Sequence, residues 1–208
     1  MTRKNSRHVI ISGTGRAGTT PLVAILTHLD LDTGFTRAES LQVDPVSKGG
    51  LEYQLNDNNA PYIVKAPHMC DYLEEFLDQN PSIQIDYAIV PIRDMKSAAE
   101  SREYNSKQSP SLPPQHVTGG LWGTDNPEEQ ERVLVVKLDK LMRAICKHKI
   151  PLLSLEYPKL LTDPDYLFEN LQIVFPQIQR EKFDSAYKAV YNPNAGYKKK
   201  IAAMEANR

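Results

Sequence analysis

Hydrophobic positions along this chain follow two alternating periods. Short β-branched runs stand at Val9-Ile10-Ile11 and Ile63-Val64, and longer apolar runs at residues 85–91 and 151–156. Runs of this length and composition predict buried strands. Between them the apolar positions shift to helical spacing: Leu22, Ile25, Leu26 and Leu29 stand at i, i+3, i+4 and i+7, which is one face of a helix. Read this way, the chain predicts strands at 8–12, 61–65, 85–91 and 151–156, with a weaker one at 33–36. It predicts helices at 19–29, 69–78, 95–105, 128–148, 164–174 and 178–190. Strand and helix signals in alternation specify an α/β fold of three layers, α/β/α, around a central and mainly parallel sheet. There is no internal repeat, and a single domain spans residues 1–208. Residues 40–60 and 106–127 break both periods. The second stretch, with Ser-Pro-Ser-Leu-Pro-Pro and Gly-Gly-Leu-Trp-Gly, is too rich in Pro and Gly for regular structure and reads as a long loop.

In such a fold, ligands sit outside the carboxyl ends of the strands, so the residues that follow each strand carry the chemistry. After the first strand come Gly13, Gly15 and Gly18, then Thr19, Thr20 and Pro21 opening the helix. Thr at a cap and Pro in the first turn are start signals. Glycines let the backbone turn several N–H groups inward, and the helix N-terminus adds partial positive charge. The unit therefore predicts a phosphate or sulfate ligand. It is not an ordinary ATP-binding P-loop. When G-x-x-x-x-G-K-[ST] is laid on Gly13 to Thr20, the lysine position is Thr19, and the only fixed charge in the loop is Arg16. A glycine turn without a ligand is the plain alternative.

The third strand runs into Arg93, with Ser101 eight residues on, about two helical turns later. A guanidinium and a hydroxyl so placed suit a phosphate. The second strand ends at Lys65, either a cation at the site or a solvated strand end.

Net charge is −1, so nothing draws the chain as a whole to nucleic acid or an anionic membrane. Anion affinity must be local. Cys70 and Cys146 are the only cysteines, with neither a disulfide framework nor metal-ligand spacing. The basic N-terminus leads into a strand rather than a signal segment, and no apolar run approaches the about 20 residues of a membrane span. The expectation is a cytoplasmic protein with no membrane partner.

Gly13-Thr14-Gly15-Arg16-Ala17-Gly18-Thr19-Thr20 resembles the 5′-phosphosulfate loop of the sulfotransferases, G-x-x-[RK]-[SA]-G-T-[ST]. These enzymes use 3′-phosphoadenosine 5′-phosphosulfate (PAPS) as co-substrate. The resemblance implies that Gly13, Gly15, Arg16, Ala17, Gly18, Thr19 and Thr20 bind the donor. Arg93-Asp94 before an alanine-rich helix with Ser101 resembles the family's 3′-phosphate site, with Met95 where Pro is common. Lys65 matches the family's lysine near the sulfonate. For the general base, the resemblance offers two residues. His68 lies three positions after the lysine where the family has two, and Glu39 lies about where heparan-type enzymes place a glutamate. Either would take a proton from the acceptor, His68 because imidazole titrates near neutral pH and Glu39 only if desolvation raises its pKa.

Residues 153–171 are similar to the family's Tyr-Glu-Asp-Leu-x-x-Asp-Pro stretch, with Asp163-Pro164 as cap and first turn and Leu167, Leu171 and Val174 on one face. The basic run Lys198-Lys199-Lys200 matches a late basic loop only loosely. No metal is expected in this chemistry. The loop 106–127 would form part of the acceptor site, with Trp122 either lining it or anchoring the loop. The acceptor is a small molecule or a carbohydrate bearing a hydroxyl or amine, and oligomeric state is open. Two other readings share the strand–loop–helix unit: a P-loop small-molecule or nucleotide kinase, and a non-catalytic nucleotide-binding relative.

Overall fold

The computed structural model describes residues 6–44, 47, 49–109 and 111–191. The sheet forms where the β-branched runs stand. Its strands are β1 (Arg7–Ile11), β2 (Ile63–Lys65), β3 (Gln84–Ile92) and β4 (Leu152–Glu156). Their order is β2-β1-β3-β4 and every pairing is parallel. In chain order the helices are α1 (Thr19–His28), α2 (Arg37–Ser40), α3 (Leu73–Gln79), α4 (Met95–Lys107), α5 (Gln130–Lys147), α6 (Lys159–Thr162), α7 (Pro164–Val174) and α8 (Arg180–Val190).

Side chains on the interior strand β1 alternate between two cores, as a strand's period of two requires. Val9 and Ile11 join Leu22, Leu26, Leu167 and Phe183 from α1, α7 and α8. Ile10 joins Val64, Leu141 and Ile145 on the opposite face, which α3 and α5 cover. These are the three layers expected. A smaller cluster of Ala98, Ala99 and Leu134 packs α4 on α5. Asp163 caps α7 by accepting from the Tyr166 N–H at 3.0 Å, with Pro164 in the first turn and Leu167 and Leu171 buried, as the sequence predicts. Among the described residues no helix is long and apolar enough to cross a membrane.

Three local expectations are corrected. Residues 33–36 form no strand: Gly34 takes a φ of 78°, and Thr36 is the N-cap of α2, so the chain turns instead of extending. The helix expected at 69–78 is two pieces. Pro67 opens a 3-10 turn over Pro67–Asp71, and Tyr72, at φ −140°, separates it from α3. β2 starts at Ile63 rather than at residue 61, where Pro has no N–H for a ladder. The basic run at 198–200 lies outside the described residues.

Strand order positions the site. β1 feeds α1 on one face of the sheet, and its neighbour β3 feeds α4 on the other. Adjacent strands whose following helices diverge leave a crevice at their carboxyl ends. The glycine loop follows β1 and Arg93 follows β3, so both open on that crevice.

Candidate functional site

Outside the carboxyl ends of the strands lies a cavity of about 310 Å³. One side is the glycine loop, which contributes Gly15, Arg16, Gly18, Thr19 and Thr20 to the lining. The chain turns there through left-handed residues: Gly15, Arg16 and Gly18 have φ of 66°, 58° and 82°. Glycine is required twice for reasons beyond φ. A Cβ on Gly15 would stand 2.6 Å from Arg102 Nη2, and one on Gly18 would press on Leu160 and Leu161 at 3.0 and 3.1 Å. Gly18 is also the N-cap of α1 and offers no side-chain cap. The first N–H groups of α1 have no acceptor within the helix and open on the cavity, where an anion would be held. Gly13 and Ala17 do not line it. Gly13 lies against Pro91, and Ala17 is buried in packing.

Around this loop the structure gathers the cations that the sequence names. Lys65, at the end of β2, is 4% exposed. It donates to Gly50 O and Glu52 Oε1 at 2.8 Å each and to Thr20 Oγ1 at 3.4 Å, which uses all three ammonium hydrogens. Desolvation holds its pKa below the usual lysine value, with the Glu52 carboxylate opposing. Arg16 donates through Nε to Ser101 Oγ at 3.3 Å and through Nη1 to Ser47 O. Arg93 donates to Arg16 O at 2.7 Å and stacks 4.8 Å from the Tyr157 ring centroid. Arg93 and Ser101 are thus brought together, both on Arg16. They reach the cavity through that residue and do not themselves line it.

The two candidate bases part ways. His68 lines the cavity and meets Trp122 edge-on, ring centroids 5.1 Å apart. Glu39 as the base is corrected. Its carboxylate accepts from Thr36 N and Oγ1 at 2.7 and 2.8 Å in the capping box of α2, exposed to solvent and away from the cavity. Those hydrogen bonds push its pKa down, whereas a base would need it raised. The carboxylate that does line the cavity is Glu52, from the stretch the sequence leaves irregular.

A third guanidinium is present that sequence reasoning misses. Arg102, 6% exposed, donates to Thr14 O at 2.7 Å and Gly120 O at 2.8 Å, and stacks 5.1 Å from the Trp122 centroid. Beside it, Asn105 donates to Gly119 O at 3.1 Å, and Ser106 donates to Pro114 O at 3.1 Å and accepts from Leu121 N at 2.8 Å. One face of α4 therefore fastens residues 114–121, the cavity's other side. A signal for this face exists in the sequence. Ala98, Arg102 and Asn105 share the buried stripe of α4 at i, i+4 and i+7, so the polar pair continues an apolar row inward. Trp122 fits both of its expected roles. It lines the cavity, and its backbone is held by Gln130, whose Oε1 accepts from the Trp122 backbone N–H at 2.6 Å.

Charge at the site is unbalanced. Arg93 and Arg102 are buried and Arg16 is half-buried, and among the described residues none forms an ion pair with a carboxylate. Desolvation and the neighbouring Arg93 push Arg16 down to about 10. Desolvation and Arg16 do the same to Arg102, also to about 10, and desolvation lowers Arg93. All three stay protonated at neutral pH. The Nε atoms of Arg93 and Arg102 are buried without a hydrogen-bond partner among the described residues. Buried, unpaired cations are costly, and a polyanionic ligand relieves that cost.

No family model matches the chain, and no curated protein matches it. A solved structure, a sulfotransferase domain from the curacin biosynthetic pathway, is similar to it with a TM-score of 0.55 and 13% identity. The match covers 94% of this chain and 83% of that one. At that identity the likeness concerns the fold, which is a sulfotransferase-like α/β fold.

Proposed function

We propose that the protein is a sulfotransferase that uses PAPS as donor and a hydroxyl- or amine-bearing small molecule or carbohydrate as acceptor. One observation carries this reading: a glycine loop at the switch point of the sheet joins three guanidiniums, two buried and one half-buried, that form no ion pair with a carboxylate among the described residues. The fold likeness supports it independently. The residues fit such a donor. The N–H groups of Gly18, Thr19 and Thr20 and the Thr20 hydroxyl would hold its 5′ end, and Arg93 and Ser101, which meet at Arg16, are the residues the resemblance assigns to its 3′-phosphate. When bound, the donor supplies a sulfuryl group and leaves as adenosine 3′,5′-bisphosphate.

The chain's own residues do the rest. Arg16 and Lys65 place positive charge where negative charge grows as the bond to the leaving phosphate lengthens, in a setting that needs little reorganisation. His68, on the cavity wall, takes the acceptor's proton. The walls at 115–122 and at Tyr157 and Leu161 keep water from the reacting groups.

Calorimetric titration with adenosine 3′,5′-bisphosphate, compared with ATP plus magnesium, tests the reading. The bisphosphate is expected to bind without metal, and Arg93→Ala to weaken it. Binding of magnesium-ATP alone would give the site to a kinase. Bisphosphate binding by a protein that transfers no sulfuryl group to any acceptor would give it to a non-catalytic relative.

A further inference from the structure

We propose that Arg102 is a positioning residue that couples the glycine loop to residues 114–122, so that an anion on the loop is felt at Trp122. The coupling is physical and short. One guanidinium, through two donors, holds Thr14 O on the loop and Gly120 O on the other wall at 2.7 and 2.8 Å. Its Cζ lies over the Trp122 ring, 5.1 Å from the centroid. Gly15 leaves it room, since a Cβ there would stand 2.6 Å from Nη2. A shift of the glycine loop therefore reaches Arg102 directly, and a shift of Arg102 reaches both Gly120 and the indole. Lysine cannot replace it, because an ammonium lacks the planar fork that spans two carbonyls.

Other ties of the second wall run to the same helix, while Gln130 of α5 holds the Trp122 backbone. Asn105 holds Gly119, and Ser106 holds Pro114 and Leu121. Neither residue touches the glycine loop through these bonds. Arg102 is the residue of α4 that bonds to both walls through its side chain, and this makes it the coupling element rather than one more fastening. Under the proposed function, the consequence is order. Occupation of the loop by the donor sets the wall against which the acceptor lies, so the two substrates are linked through this side chain's bonds to both walls. The coupling rests on that reading for the identity of the anion, but the tie itself does not.

Trp122 is the chain's single tryptophan, so its emission reports this wall alone. The experiment compares wild type, Arg102→Lys and Asn105→Ala by tryptophan emission and by calorimetry, with adenosine 3′,5′-bisphosphate and with inorganic sulfate as probes. In wild type, a bound probe is expected to change the emission. In Arg102→Lys, the change at saturation is expected to fall to about a third or less, while calorimetry still registers binding. In Asn105→Ala, which loosens the same wall without cutting the tie, the change is expected to persist. A full emission change in Arg102→Lys overturns the inference, and so does a wild-type protein that binds a probe without any change.

A ligand-free arm separates this from the proposed function. Gly15→Ala pushes on Arg102 Nη2 and is expected to shift Trp122 emission in the wild-type background and not in Arg102→Lys. If neither probe binds, the donor reading fails, and this arm alone decides the coupling. Equal shifts in the two backgrounds would overturn it, as would no shift in a folded Gly15→Ala protein. If Gly15→Ala does not fold, Thr14→Gly, which loosens the loop at the carbonyl that Arg102 holds, takes its place with the same two outcomes.

Discussion

One wall of the cavity, Gly13 to Thr20, is shaped by backbone conformation, whereas the other, residues 114–122, is held by side chains. In the first, left-handed φ values of 66°, 58° and 82° set the turn, and the bonds from Arg93 and Arg102 to its carbonyls at Arg16 and Thr14 hold a shape the backbone already has. In the second, α4 reaches out with Arg102, Asn105 and Ser106 to fasten an otherwise irregular segment. A wall made of backbone suits a ligand with the same anionic groups on every occasion. A wall made of side-chain ties can change residue by residue while the fold stays fixed, which suits the half of the site that faces the variable substrate.

The comparison breaks most visibly at Arg93. Arg93→Ala removes a buried cation behind the first wall and its bond to Arg16 O, and bisphosphate affinity is expected to fall about 10- to 100-fold, ~1.5–3 kcal/mol, as calorimetry would read. A pH series sharpens the same wall. The protonated form of Lys65 is the one that binds an anion, and its pKa in the free protein lies below the usual lysine value. Above that depressed pKa, binding must take up a proton, so affinity falls with rising pH, by at most about tenfold per unit. The fall begins earlier than an ordinary lysine would give, and Lys65→Met is expected to flatten it.

Gly18→Ala tests backbone shape without touching charge. With φ at 82° and Leu160 3.0 Å from the new Cβ, unfolding free energy measured in urea is expected to drop by about 1–3 kcal/mol. Asn105→Ala leaves Gly119 O without its bond and is expected to cost about 1–2 kcal/mol of stability. Bisphosphate affinity should meanwhile stay within about threefold, since the first wall is intact. The smallest effect belongs to Glu39. Glu39→Ala removes an exposed cap on α2, and bisphosphate affinity is expected to stay within about twofold of wild type. A large loss there would restore Glu39 to the site.

The same contrast decides how much could be read from the sequence. The glycine loop was legible because its strand, turn and helix are contiguous, so the glycines that set its turn lie within one short stretch. Lys65 and Arg93 were legible because a strand end is a defined place in an α/β fold. Arg102 was not. Its partners lie 88 and 18 residues away, and a polar residue on a helix reads as solvated until its burial is known. Glu52 was missed because it lies in a stretch with neither period, where no element fixes the direction of a side chain. Glu39 was misplaced for a local reason. Thr36 and Glu39 have the spacing of a capping box, and that use of the carboxylate outweighed a position inherited from a family pattern. Gly34 did the same to the strand expected at 33–36.

β1 is an interior strand of the sheet and precedes both of its neighbours in the chain, with Val9 aligned to Ile63 on one side and to Tyr87 on the other. During synthesis, both edges of this apolar strand therefore emerge before a partner for either: β2 begins at residue 63 and β3 at residue 84, about 50 and about 70 residues after Ile11. A nascent chain in this state offers Val9-Ile10-Ile11 to any other exposed strand, and parallel pairing across long separations forms slowly. Production of the protein in a cell is thus expected to depend more on chaperone supply and slow translation than its finished, well-packed sheet would indicate.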